Sequence, residues 1–420
     1  MTTTLSFLFN DPRQLPMLPA LSQIFDGCRL TVSGAEVSGT FGFFNFNNRS
    51  GDASDVVVRA RAMRDAGDAL LAQLHANQAA GIPQSVELTV AIERLRATLE
   101  AQTSKDKSDF AHIFPWSSID ARIMALAAVG IHKPWLSLVG VPPHGTVDDT
   151  NLYGGDAVRH TVDARENALS ISDATPYGLA ADQPWFKKPT RIRAKFCYEF
   201  ARRAAERYVT WPIGRKEQPV IGGVLGWNEP DDGQSYPRMA LGDFENAWNE
   251  YREDICLPMR LGVLSQLATR SSPNACPFGG PEAAYVSGLE TQLAWEARRG
   301  TLMYDVIALH NWAQDGGKDT GTLSNWIDLL DEKMAVVERF RDGRHVMLTE
   351  MGDRGAGWIL DALAYAIERY DFDTIVAYPS IDDGEQIIDP KTYELTSYGE
   401  KWKAFAHQMR RRPSQNGARL

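Results

Sequence analysis

The 420-residue chain lacks any apolar run long enough to span a bilayer, and its amino terminus, MTTTLSFLFND, lacks the basic segment of a secretory leader. A soluble protein is expected, cytoplasmic as the chain stands and secreted or periplasmic if a leader has been removed. Cysteine is scarce: Cys28, Cys197, Cys256 and Cys276 lie far apart with no C-x-x-C spacing, which argues against a zinc site or a disulfide framework and predicts buried thiols. Basic charge is short as well. The net charge of −10 leaves no footprint for nucleic acid and no polybasic arm for an anionic membrane. H-x-H and H-E-x-x-H spacings are missing, and His112, His132, His144 and His310 are too scattered to make a ligand set, so no metal or other cofactor is expected. No internal repeat is visible apart from an alternation of strand-like and helix-like segments.

What is present is a chain of 44% hydrophobic residues, enough to bury a large core as one barrel with insertions. Two stretches organise it. Val220 to Pro230, VIGGVLGWNEP, and His345 to Gly352, HVMLTEMG, each read as a short apolar strand ending on a glutamate. Uninterrupted apolar runs of that length suit strands covered on both faces, as in a parallel sheet. The first stops at Pro230, which has no amide with which to continue a ladder. In an α/β barrel the carboxyl ends of the strands carry the chemistry, so Glu229 and Glu350 are expected to face each other across one cleft.

W-N-E-P followed by T-E-M-G resembles the retaining glycoside hydrolases of clan A, (β/α)8 enzymes with Asn-Glu at the end of strand 4 and a second Glu at the end of strand 7. Ala275 to Pro281, ACPFGGP, and Val306 to Trp312, VIALHNW, resemble strands 5 and 6 of glycoside hydrolase family 39. The resemblance implies a TIM barrel acting on an oligosaccharide or polysaccharide, a partner that the charge balance also suits. It covers residues 39 to 410 and fades in its first third.

Along the chain, residues 1 to 38 are expected as an extension capping the barrel floor, with strand-like pieces at Leu5 to Phe9 and Arg29 to Val32. Strand 1 is expected at Gly39 to Phe46, ending in a polar loop with Asn45, and strand 2 at Ser85 to Ile92, where apolar residues alternate. A helix is expected over Ala53 to Ala79, and another over Ser118 to Val129, closed by Gly130. Pro134 to Val139 is strand 3. The irregular stretch from Gly140 to Lys187 leaves the carboxyl end of that strand and is expected to overhang the cleft. Strands 4 to 8 then alternate regularly with helices, strand 8 lying at Thr374 to Tyr378. A helix over Ser397 to Met409 and a polar tail, residues 411 to 420, complete the chain.

Hydrolysis of a glycosidic acetal needs a proton on the leaving oxygen and negative charge beneath the anomeric carbon. By resemblance Glu229 is the acid/base, expected to have a raised pKa, and Glu350 is the nucleophile, expected to stay ionised. Asn228 is carried over as a partner of the sugar 2-hydroxyl, its alternative being a cap for the loop after strand 4. His310 stands where the family has a strand 6 histidine, its alternative being a packed core histidine. Two departures affect substrate choice. Trp312 replaces a tyrosine that donates to the nucleophile, and Ala377-Tyr378-Pro379-Ser380 replaces a tryptophan platform. Tyr378, Trp116, Trp185 and Trp358 are the candidate platforms. A sugar-binding barrel without catalysis and a metal-dependent barrel hydrolase are the rival readings.

Overall fold

The protein is described from a computed structural model, over residues 3–9, 12–33, 117–139, 194–209, 221–232, 242–267, 276–299, 302–312, 321–352, 357–378 and 386–411, with isolated positions between them. Eight strands close into one ring: β1 Thr4–Phe9, β2 Gly27–Ser33, β3 Trp135–Val139, β4 Gly223–Trp227, β5 Phe278–Ala283, β6 Val306–Trp312, β7 His345–Gly352 and β8 Thr374–Ala377. Every neighbour pair is parallel and consecutive, and β1 meets β8 with Thr4 opposite Thr374. Helices alternate with the strands: α1 Ser117–Ala128, α2 Ala194–Tyr208, α3 Phe244–Tyr251, α4 Leu257–Leu267, α5 Val286–Arg299, α6 Leu323–Phe340, α7 Ile359–Arg369 and α8 Ser397–Arg411. This is a (β/α)8 barrel.

Local chemistry explains most of these elements. The strands are buried almost throughout, as their continuous apolar runs require when a ring packs on the inside and helices on the outside. The helices show one apolar face instead; in α7, Ile359, Ala362, Leu363 and Ala366 are buried at helical spacing. Asp243 and Thr322 cap α3 and α6 by accepting from the backbone N–H of Asn246 and Asn325. Gly130, at φ +84°, follows α1 in the left-handed conformation expected of a helix terminator. All four cysteines are free and buried. No described helix is long and apolar enough to cross a membrane.

The first two strands are not where the sequence suggested. The pieces expected to cap the barrel floor are β1 and β2 themselves, so the barrel begins at Thr4 rather than at residue 39. The expected strands at Gly39 to Phe46 and Ser85 to Ile92 lie outside the described residues, as does the helix over Ala53 to Ala79. The ring closes without either strand, because β2 pairs directly with β3, Arg29 opposite Trp135. A short apolar strand gives the same burial signature whether it caps a barrel or belongs to it, and only its pairing partner distinguishes the two. Strands β3 to β8 stand within a few residues of expectation.

Candidate active site

Two of the expected residues come from the ends of β4 and β7. After Trp227 the chain leaves the ring: the Asn228 N–H donates to the Leu138 carbonyl and the Glu229 N–H to the Glu282 carbonyl, both at 3.2 Å. Glu229 itself has φ +48°, a conformation that costs a non-glycine residue about 1–3 kcal/mol and is found where surrounding structure enforces it. On β7 a bulge at Thr349 brings Glu350 opposite His310 of β6, and the Thr349 hydroxyl donates to the Leu309 carbonyl. The result is a tight group. One side-chain atom from each of Glu229, His310 and Glu350 lies within 4.8 Å of the other two. His310 Nδ1 is 3.0 Å from Glu229 Oε1 and 3.9 Å from Glu350 Oε2.

Three further residues were missed in the sequence. Arg29, on β2, is fully buried; its Nη1 donates to Glu350 Oε2 at 2.9 Å and its Nη2 to Ser137 Oγ at 3.0 Å and to Asn228 Oδ1. Ser137, on β3, donates in turn to Glu282 Oε2 at 2.7 Å. Glu282 is the extra residue of a bulge in β5, at φ +55°, and its Oε1 lies 3.0 Å from Arg29 Nη2 and 3.7 Å from His310 Nε2. A signal for them existed: each is a polar or charged residue within a largely apolar strand, where a buried polar group must have a partner. Arg29 sat in a segment read as a cap, so its partners were out of view.

The network sets the protonation of its members. Burial alone would favour neutral His310, but the charge of Glu350, with hydrogen bonding to Glu229 and attraction to Glu282, raises its pKa to about 9. Burial would likewise raise Glu282, yet the Arg29 charge first, then His310 and Ser137, hold it down at about 2. For Arg29 the attraction of Glu282 and then Glu350 outweighs the cost of burial, and its pKa rises. Burial pushes Glu350 above the usual carboxylate range, the His310 and Arg29 charges pulling it back and Glu229 adding to the rise. The sequence had led to the expectation that this carboxylate stays ionised.

Carboxylates with a histidine are also a donor set that a divalent cation accepts, but metal binding requires neutral imidazole. His310 has a carboxylate toward each ring nitrogen, an environment that favours the imidazolium, the form that cannot act as a ligand. His132 is exposed and precedes β3, at the opposite end of the barrel from His310, while His112 and His144 lie outside the described residues. Among the described residues, His310 is the one of these four histidines that lies in the group.

The scaffold behind the group is polar and well connected. Lys333 of α6, 2% exposed, donates from Nζ to the Ala284 and His310 carbonyls at 2.6 and 2.7 Å, tying α6 to the ends of β5 and β6. The Asn311 side chain donates to the Trp326 carbonyl, and the Trp326 indole donates back to the Asn311 carbonyl. Asp231, two residues beyond Glu229, accepts from the backbone N–H of Ala284 and Tyr285, fastening the loop after β4 to the start of α5.

Among the aromatic candidates, Trp312 and Tyr378 stand together, ring centroids 5.9 Å apart, both half-buried at the ends of β6 and β8. Gly352 permits this: a Cβ there would lie 2.4 Å from the Trp312 ring. Trp358 is committed to packing, its indole donating to the Gly321 carbonyl and its ring lying against Trp326. Trp116, Trp185 and Asn45 lie outside the described residues.

No protein-family model matches the chain, and no curated protein does. Solved structures are similar at the level of fold. SrfJ from Salmonella typhimurium superposes with a TM-score of 0.46 at 10% identity, covering 98% of this chain and 75% of that one. The glycoside hydrolase family 30 subfamily 8 xylanase Xyn30A from Clostridium acetobutylicum gives 0.43 at 10% identity over 97% and 72%. A glucosidase from Croceicoccus marinus gives 0.45 at 10% identity over 71% of this chain, which thus spans 53% of that enzyme. The functional reading rests on the site geometry and not on these distant likenesses.

Proposed function

We propose that the protein is a retaining glycoside hydrolase that cleaves O-glycosidic bonds of an oligosaccharide or polysaccharide, with Glu229 as acid/base and Glu350 as nucleophile. The observation that carries this reading is the approach of two carboxylates from the ends of β4 and β7, with oxygens within 4.8 Å of each other. Carboxyl groups about 5–5.5 Å apart suit direct attack on the anomeric carbon, whereas about 6.5–9.5 Å leaves room for an intervening water and inversion. A barrel that only bound sugar would have no use for two opposed carboxylates.

The partners of the two glutamates support the division of labour. Arg29 donates to Glu350 through a guanidinium that keeps its proton at any working pH. Together with His310, such a partner counters the rise that burial imposes on Glu350, favouring the ionised carboxylate needed for attack and stabilising it again as it leaves the glycosyl-enzyme. His310 pairs with Glu229 through a group that can lose and regain a proton. That suits a residue which gives a proton to the leaving oxygen and then takes one from water. Asn228, whose side-chain oxygen accepts from Arg29, has its amide N–H left to donate to the sugar 2-hydroxyl, a contact that tightens in the transition state. Trp312 and Tyr378 supply an apolar surface for a sugar ring. The family 39 resemblance rests on the sequence motifs.

The test is a screen of aryl glycosides and polysaccharides, with elemental analysis of the purified protein alongside it. Cleavage that survives exhaustive chelation and disappears in Glu350→Gln supports the reading. Binding without turnover would favour the sugar-binding barrel, and activity that depends on a bound metal would favour the metal-dependent one.

A further inference from the structure

Glu282 has no part in the two-carboxylate reaction, yet it is completely enclosed between Arg29, Ser137 and His310. An enclosed carboxylate is costly, and Glu282 offsets that cost first through its ion pair with Arg29, at 3.0 Å from Nη2. The Nη1 of Arg29 is taken by Glu350 and its Nη2 also donates to Ser137 and Asn228. What Glu282 alone faces is the far side of the His310 ring. No other hydrogen-bond partner is found for His310 Nε2 among the described residues, and Glu282 Oε1 lies 3.7 Å from it, an ion-pair contact too long for a good hydrogen bond. Neutral imidazole donates from one nitrogen and accepts at the other, whereas an ionised carboxylate only accepts. With Glu229 at Nδ1 and the Glu282 carboxylate toward Nε2, a lone pair at Nε2 would face a negative charge, so the surroundings favour the imidazolium.

We propose that Glu282 is a positioning residue that keeps His310 protonated, so that a proton is held between His310 Nδ1 and the Glu229 carboxylate. This rests on the glycosidase reading for its consequence, and on geometry alone for its premise. In the first half-reaction this proton passes through Glu229 to the leaving oxygen, leaving His310 neutral and Glu229 ionised. In the second half-reaction a water loses a proton to Glu229, its oxygen joins the anomeric carbon as the bond to Glu350 breaks, and His310 is reprotonated. One proton leaves with the alcohol and one returns from water.

Among the described residues, the charged groups around the ring act on this state in both directions. Glu282 of β5, Glu229 after β4 and Glu350 of β7 favour the imidazolium. Arg29 of β2 opposes it from behind two of those carboxylates, and Lys333 of α6 opposes it from the His310 carbonyl. The rise of His310 to about 9 accords with that balance.

The experiment is an NMR titration of the full chain with 15N-labelled histidine, His310 being assigned by the signal lost in His310→Gln, run beside pH profiles of kcat/KM. The wild-type ring is expected to stay protonated well above neutral pH. Glu282→Gln keeps the shape, removes the charge and should lower the midpoint by about one pH unit or more. The alkaline limb of kcat/KM should move down by the same interval, with KM nearly unchanged. Glu282→Asp retains the charge at longer reach and should fall between the two; it serves as the comparison if the Gln variant does not fold. An ordinary His310 midpoint in the wild type, or one indifferent to both substitutions, overturns the proposal. If the NMR midpoint moves as expected but no glycoside is cleaved, the glycosidase reading fails while the effect of Glu282 on His310 stands.

Discussion

His310 Nδ1 lies 3.0 Å from Glu229 Oε1 and 3.9 Å from Glu350 Oε2, so a single imidazole spans the two carboxylates proposed to do the chemistry. The pair is therefore not symmetric. One glutamate shares a proton with an exchangeable partner, and the other is anchored by Arg29.

Glu229→Gln and Glu350→Gln should each lower turnover on a natural glycoside by several orders of magnitude, as when one member of a paired catalytic unit is lost. The isosteric amides should leave the circular dichroism spectrum unchanged. Near wild-type turnover in either variant on a verified substrate would refute the assignment.

The roles within the pair are separable by anion rescue. Glu229→Ala with azide and an activated aryl glycoside should give a glycosyl azide of retained configuration, because azide attacks the covalent intermediate. Glu350→Gly should give the inverted azide, because azide enters from the vacated face. Product NMR distinguishes them, and the opposite pattern exchanges the roles.

Removing Arg29 should cost stability as well as activity. Arg29→Met leaves Glu282 and Glu350 without their shared cation, and breaking a buried charge network from one side costs about 3–5 kcal/mol. Denaturant titration reads this as a lower midpoint. A midpoint within error of wild type would mean that the network carries no net stability.

Stability should depend on pH through His310 and Glu282 in opposite directions. His310 has a folded pKa of about 9, above its ordinary 6.5, so its contribution is fully present below pH 6.5 and lost as pH rises through 9. Glu282, at about 2 against an ordinary 4.5, contributes above pH 4.5 and loses that contribution as pH falls through 2. The stability difference between wild type and His310→Gln should shrink by up to roughly 3 kcal/mol between pH 6.5 and 9. A difference constant across that interval would rule out a raised His310.

Trp312 should act on binding. Trp312→Ala is expected to raise KM by roughly three- to tenfold with a smaller change in kcat, if the ring stacks on a sugar. Gly352→Ala should do the same by displacing the indole, since its Cβ would meet the ring at 2.4 Å. A change confined to thermal stability would assign both residues to packing.

By itself the sequence determined six of the eight barrel strands and the two glutamates. β3 to β8 are unbroken apolar runs bounded by turn-formers, and Glu229 and Glu350 terminate two of them, so strand type and strand end could be read locally. Gly130 and the alternation with amphipathic helices were legible for the same reason. The tertiary structure decided what depends on pairing. Leu5 to Phe9 and Arg29 to Val32 carry a burial pattern common to a cap and a barrel strand, and only the contacts of β1 with β8 and of β2 with β3 make them members of the ring. Arg29, Ser137 and Glu282 follow from that closure. They lie on three strands more than a hundred residues apart in sequence, and the bulge in β5 that sets the backbone at Glu282 has no local signature. No local pattern could link an arginine at position 29 to carboxylates at 282 and 350, because the buried charges meet only where the ring brings their strands together.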